Sequence, residues 1–287
     1  MMEKLLPEHL KDIWLTVERH EHSTEDYTSE YERAVAEYRR TWQRALILPG
    51  RDNLRESLLA ELASYMQYPD IAEVQRQCEQ AIANLKREWE DKVRSEDRRS
   101  IERFYDHSPA MLHELMWWHT LADDLSPLAY VVALRFAQGH GCKSYLDFGA
   151  GVGAGGLLFA RDGLQTTLAD ISSLLLRFSA WRFRLRNLTA GYIDLKQSHL
   201  PTQEFDIITA MDVFEHLSDP VETVEKLWDA LKTGGFLYAR ISAEPDEDRP
   251  LHIVRDFEPT FERMRTLGFV EVWRDEWLWG HQIFRKP

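Results

Sequence analysis

The chain has 287 residues, 44% hydrophobic and 29% charged, an ordinary globular composition with room for one large domain or two smaller ones. A formal net charge of −13 argues against a nucleic-acid surface, and the cluster Arg177, Arg182, Arg184 and Arg186 reads as the solvated face of a helix. Cys78 and Cys142 share no metal spacing, "MMEKLLPEHLKDIW" has no signal-peptide core, and no apolar run reaches membrane length, so a cytoplasmic protein without a membrane partner is expected.

The first elements read as helices. Tyr31, Ala34, Val35, Tyr38 and Trp42 fall on one side of a pattern from Tyr27 to Leu48, which "LPG" ends. A second helix is expected from Leu54 to Tyr65, ended by "YPD". Ile71, Val74, Cys78, Ile82, Leu85, Trp89 and Val93 then follow at spacings of 3, 4, 4, 3, 4 and 4. That places them on one face of a nearly straight helix with an 11-residue repeat. Packing within a helical layer is the plain reading of this face, and a homodimer through these helices is the alternative. The charged run Arg94–Ser100 reads as a hinge or exposed turn. "FYDHSPAMLHELMWWHT" (Phe104 to Thr120) is helical in pattern and too aromatic for a plain surface; it reads either as a lid over a pocket or as helical core.

From Lys143 the texture changes. Strands are expected at Ser144–Phe148, Thr166–Ala169, Gly191–Asp194, Phe205–Met211, Gly235–Ile241, Phe269–Arg274 and Gln282–Arg285, with helices at Ser172–Asn187, Pro220–Lys232 and Glu258–Leu267. The alternation argues a mostly parallel sheet covered on both faces. Ligands of such sheets bind beyond the carboxyl ends of the strands. Phe148, Gly149, Ala150, Gly151 and Gly153 sit there in "YLDFGAGVGAGGLLFA". Their scarcity of side chains lets a ligand approach the backbone, and a helix starting near Ala154 aims its amides at the same place.

"LDFGAGVG" satisfies a loose dinucleotide pattern and also the tighter D-x-G-x-G-x-G, with Asp147 leading. In the second form it resembles motif I of the class I S-adenosylmethionine-dependent methyltransferases. "FDIITAMDVFEHLSDP" (Phe205 to Pro220) and "LKTGGFLYARI" (Leu231 to Ile241) resemble the fourth- and fifth-strand regions of the type 11/12 and ubiquinone-biosynthesis groups; "PLHIVRDFEPTFERMRTLGFVEV" (Pro250 to Val272) resembles their late loop, helix and strand. The resemblance implies an α/β fold, a seven-stranded Rossmann-like sheet of order 3-2-1-4-5-7-6 with the last strand antiparallel. It covers residues 141–287, preceded by an all-helical region, 1–140.

The same resemblance implies S-adenosylmethionine as cosubstrate and S-adenosylhomocysteine as product. Asp147 is expected beside the cosubstrate's ammonium and sulfonium. Asp170, ending "TTLAD", is expected on the ribose hydroxyls or as the cap of the next helix, Ile171 against adenine, and Asp194 on the adenine amino group. Met211 and Asp212 complete the cosubstrate edge. The reaction is in-line attack on the methyl carbon, which needs a base only where the nucleophile carries a proton. His216 and His252 are the candidates, His216 having the alternative role of fixing its loop. Asp212, Glu215, His216 and His252 are also metal-ligand types and look like the divalent-ion cluster of small-RNA 2′-O-methyltransferases; the preferred reading has no metal. Tyr105, His113, Trp117 and Trp118 are expected to wall the acceptor site, which suits a small, partly apolar molecule or a cation. The alternatives are an N-terminal region that recruits a protein acceptor and a fold relative that binds the nucleoside without catalysis.

Overall fold

The computed structural model describes residues 24–94, 97–121, 126–242, 251–254, 256–275 and 280–287. The segment Met1–Trp14, residues 95 and 96 of the charged run, and the side chains of Tyr27, Tyr31 and Ala34 lie outside that description.

Helix α1 (Thr24–Leu46) buries Val35, Tyr38, Trp42 and Ala45 on the stripe that its spacing predicts. Its Trp42 Nε1 donates to the Thr120 carbonyl at 2.8 Å, which fixes the aromatic segment to this helix. Helix α2 (Leu54–Met66) starts where the Asn53 side chain accepts from the Glu56 amide. The expected long helix is two: α3 (Ile71–Glu79) and α4 (Ala81–Lys92), broken at Gln80. The break rephases the stripe. Val74 and Cys78 are buried before it; after it Ala81, Leu85 and Trp89 are buried, four apart, while Ile71 and Ile82 are exposed. A straight helix would have kept Ile82 in the core; the break moves it to the rim of a cavity.

The aromatic segment is also divided. Helix α5 (Arg98–His107) ends at Ser108, whose hydroxyl accepts from the Met111 amide to start α6 (Pro109–Glu114). One π-helical turn, Leu115–His119, follows directly. Helix α7 (Ala129–Gly139) leads into the sheet.

The described residues hold one seven-stranded sheet: β1 Ser144–Phe148, β2 Gln165–Asp170, β3 Gly191–Asp194, β4 Phe205–Ala210, β5 Leu231–Arg240, β6 Val270–Arg274 and β7 His281–Arg285. Its order is β3-β2-β1-β4-β5-β7-β6, with β7 antiparallel to both neighbours, as the resemblance implies. Strand β1 is buried at every residue, the polar Ser144 and Asp147 included, as suits a central strand of a parallel sheet covered on both faces. Helices α8 (Ala154–Arg161), α9 (Ser173–Leu185), α10 (Pro220–Ala230) and α11 (Glu258–Leu267) cover the sheet.

Two apolar clusters flank it. The smaller joins β4 and β5 to α10 and α11. The larger runs without interruption from Val35 and Trp42 through α7 to Phe159 and Phe178, so residue 140 falls inside one core.

The arginine cluster differs from its expectation. Arg177 and Arg184 are exposed, but the side chains of Arg182 and Arg186 are fully buried, as is that of Glu61 from α2. Arg182 Nε donates to Glu61 Oε2 at 2.7 Å; Arg186 Nη2 donates to Oε1 at 2.6 Å and its Nη1 to Oε2 at 3.0 Å. Burial pushes the Glu61 carboxyl up, but the two guanidiniums outweigh it and hold the group below the usual carboxylate range. Residues four apart share a helix face; only the approach of α2 decides that this face is dry.

Candidate active site

The carboxyl ends of β1, β2 and β4 open onto a cavity of about 390 Å³. The loop after β1 makes one side of it. Gly149 and Gly153 have φ of +71°, a region that side chains disfavour. A Cβ on Gly149 would overlap Val213, and one on Gly153 would meet Leu168 and Ser179 at 2.9 Å, so the loop needs both glycines. Two bonds set its height: Gly149 N donates to the Ala169 carbonyl at 2.8 Å and Gly151 N donates to Asp170 Oδ2 at 2.8 Å. The other oxygen of Asp170 accepts from the Ser172 amide at 2.8 Å. Asp170 thus ties the loop to the start of α9 and still lines the cavity beside Ile171. Burial pushes its carboxyl above the usual range.

Phe148, Gly149, Ala150, Gly151, Asp170, Ile171, Met211 and Asp212 all line the cavity. Three expected members do not. Asp147 is fully buried beneath the loop, accepting from Gly156 N at 2.8 Å and from the hydroxyls of Thr209 and Tyr130 at 3.2 and 3.4 Å. Its side chain holds the first turn of α8 rather than facing the cavity, because strand alternation turns it away from the rim. Gly153 packs downward on β2 and α9. Asp194 accepts from Ser173 Oγ at 2.6 Å and pairs with Lys196 at 3.4 Å; Leu195, Ser198 and His199 represent that segment on the wall.

The opposite wall comes from α5, α6 and the π turn. Ser172 Oγ donates to the Tyr105 carbonyl at 2.6 Å, and Asp106 accepts from Ser173 N and Lys196 Nζ at 2.8 and 2.9 Å. These bonds clamp the end of α5 over the edge that carries Asp170 and Ile171. Tyr105 and Trp118 line the cavity; His113 and Trp117 do not. His113 is buried with Nδ1 donating to the Pro109 carbonyl and its ring 6.0 Å from Tyr68, and Trp117 is buried under the Arg55 guanidinium. Trp117 and Trp118 thus point in different directions, Trp117 inward and Trp118 onto the cavity. The face that contains Trp118 is Met111, Glu114, Leu115 and Trp118, a helical spacing legible in the sequence and not used there; all four line the cavity. Trp42 and Tyr130 line it too, with no local signal to announce them.

Past β4, Asp212 has φ of +51° and accepts from Arg240 Nη1 at 3.0 Å. The next turn brings Glu215, His216 and His252 together on the wall, with one ligand-type atom from each within 4.8 Å of the others. The His216 and His252 rings meet edge to face at 4.9 Å. His216 Nδ1 bonds the Leu251 carbonyl at 2.9 Å. A carbonyl only accepts, so Nδ1 carries the proton and the lone pair of the neutral ring lies on Nε2. Burial pushes the pKa of His216 below that of an ordinary histidine, which keeps the ring neutral near pH 7.

Burial, reinforced by Asp212, pushes the Glu215 carboxyl up to about 7, and burial pushes Asp147 up to about 7. Folded values above the unfolded 4.5 and 3.8 mean that each group's contribution to stability is fully present below those values. It is lost as pH rises through about 7. The unfolding midpoint of Glu215→Gln is therefore expected to gain on that of the wild type between about pH 5 and pH 8. Parallel midpoint curves for the two proteins in thermal denaturation would contradict the shift.

Residues 146–237 match the family model described as "Methyltransferase domain". The chain is 29% identical over 131 residues to a ubiquinone biosynthesis O-methyltransferase of Serratia proteamaculans, covering 42% of this chain and 54% of that protein. It is 31% identical over 133 residues to one of Albidiferax ferrireducens, covering 42% and 52%. The chain thus spans about half the length of the curated relatives it matches. Among solved structures, a SAM-dependent methyltransferase of Leishmania major aligns with a TM-score of 0.52 at 17% identity, over 69% of this chain and 88% of that one, a likeness of fold. No helix among the described residues is long and apolar enough to cross a membrane.

Proposed function

We propose that this protein, which carries a class I S-adenosylmethionine-dependent methyltransferase domain, uses it to methylate a small molecule held between the glycine loop and the aromatic wall. The observation that carries the reading is the juxtaposition in one cavity of bare loop backbone and Asp170 on one side and Tyr105, Trp118, His216 and His252 on the other. The residues suit the cosubstrate. Gly149 and Gly151 offer backbone without side chains, and the remaining lone pairs of Asp170 suit two ribose hydroxyls. Ile171 offers an apolar edge for adenine, with Met211 and Asp212 bordering the sulfur end.

S-adenosylmethionine supplies the methyl carbon on a sulfonium, already a good leaving group. The protein supplies alignment, worth up to about 7–11 kcal/mol in the best intramolecular cases. The relatives' names specify oxygen as the methylated atom. A hydroxyl acceptor fits the neutral His216: its Nε2 takes the proton as the oxygen attacks, and the Leu251 carbonyl steadies the imidazolium that forms. His252 is the second candidate for that proton. His216→Ala is expected to lower turnover about a hundredfold or more while leaving affinity for S-adenosylhomocysteine unchanged. Near-normal turnover in that variant would leave His216 with the fixing of its loop.

A second reading rests on the Glu215, His216 and His252 group, whose donor types and proximity suit a divalent ion that would orient the acceptor oxygens. Exhaustive chelation separates the two. An unchanged rate supports the base; a loss restored by one divalent ion supports the metal. Methyl transfer from labelled cosubstrate into a size-fractionated extract tests the acceptor class. Label in the small-metabolite fraction is expected, and label in protein would favour recruitment of a protein acceptor through the N-terminal helices.

A further inference from the structure

The underside of the glycine loop is held by α9. Ser179 Oγ donates to the Gly151 carbonyl at 2.9 Å, and Arg182 Nη1 donates to the Val152 carbonyl at 2.8 Å. Carbonyl and N–H of a trans peptide point opposite ways. With the Gly151 carbonyl drawn down, the Val152 N–H is turned up, toward the cavity that Val152 lines. Arg182 holds the next carbonyl, that of Val152, and a fully buried guanidinium can do so only beside a counter-charge. Glu61 supplies it, 2.7 Å from Arg182 Nε, and Glu61 stands on α2, far outside the matched domain at residues 146–237.

We propose that Arg182 is a positioning residue for the cosubstrate loop and that Glu61, delivered by the N-terminal helices, is the counter-charge that keeps it in place. The cosubstrate site is then not self-contained: its affinity is set in part by a helix that belongs to the other half of the chain. This rests on the methyltransferase reading.

The test uses the full chain, with S-adenosylhomocysteine as the probe. Calorimetry on the wild type, Arg182→Lys and Arg182→Met is paired with hydrogen exchange of the peptides covering 149–156 and 205–210. Lysine keeps the charge beside Glu61 and so guards against a variant that fails to fold, but it lacks the planar fork whose separate nitrogens reach Glu61 and the Val152 carbonyl. Both variants are expected to bind the probe about ten- to a hundredfold more weakly, the effect of losing one charge-assisted hydrogen bond. Exchange is expected to quicken in 149–156 and not in 205–210. Wild-type affinity in both variants, or exchange that quickens equally in the two peptides, would overturn the proposal and leave Arg182 a plain core ion. A wild type that does not bind the probe would overturn the methyltransferase reading itself, and this proposal with it.

Discussion

Asp170→Ala is expected to lower affinity for S-adenosylhomocysteine by about two orders of magnitude or more, measured by calorimetry on folded protein. Two losses add. The proposed bonds to the ribose disappear, and so does the internal bridge in which one carboxylate accepts from Gly151 N and Ser172 N, each at 2.8 Å. Hydrogen bonds to a charged acceptor are worth about 1.5–3 kcal/mol each, and about 1.4 kcal/mol is a factor of ten. Asp170→Asn is a stricter version, since it preserves shape. Its amide turns an NH₂ toward one of two backbone donors, so the bridge cannot survive whole. Ser172 still caps α9 through its own hydroxyl, accepting from Leu175 N at 3.2 Å, so a smaller change in unfolding midpoint is expected. Unchanged affinity in both variants would move the nucleoside away from β2 and remove the basis for the site.

Glu61→Ala is expected to destabilise the chain by about 3–5 kcal/mol in denaturant unfolding, because it strands the buried guanidiniums of Arg182 and Arg186. Domains hold only about 5–15 kcal/mol in total, so the variant should sit near its folding limit. The loss has a pH signature. The folded pKa of Glu61 lies below its unfolded value of 4.5, so its contribution is present above that value and fades as pH falls through the folded one. Wild type and variant should therefore converge in acid. Replacing all three residues with methionine removes the stranded charges and is expected to restore most of the stability, since apolar substitutes for buried ion networks often cost little. It should not restore cosubstrate affinity, because Val152 would still lack its donor. A Glu61→Ala protein within about 1 kcal/mol of the wild type would mean that water reaches the guanidiniums.

The two halves of the cavity differ in how far sequence alone reaches them. The loop side was legible because its chemistry is local. Bare backbone, a carboxylate ending β2 and the turn after β4 each announce themselves within a few residues. The aromatic wall was legible only as a segment. Tyr105 and Trp118 reach the cavity while His113 and Trp117 turn into the core, because the segment breaks at Ser108 and then widens into a π turn. Composition counts rings; it does not say which way they point.

The amino-acid sequence by itself determined the alternation of strands and helices, since apolar runs and helical spacings act over short stretches; the order of the strands and the antiparallel β7 agree with what the resemblance carried by its motifs implies. It also determined the glycine positions, since a positive φ is a property of one residue. Tertiary structure alone decided which polar groups are buried. Arg182 and Arg186 have the spacing of a solvated helix face and became a core ion network because α2 brings Glu61 against them. Asp147 has the motif position of a ligand group and became the brace beneath the loop. Ile82 has the spacing of a core residue and became part of the cavity rim because the chain breaks at Gln80. Periodicity reports the direction of a side chain relative to its own element, whereas burial depends on what arrives from elsewhere in the chain; Glu61 meets Arg186 from 125 residues away.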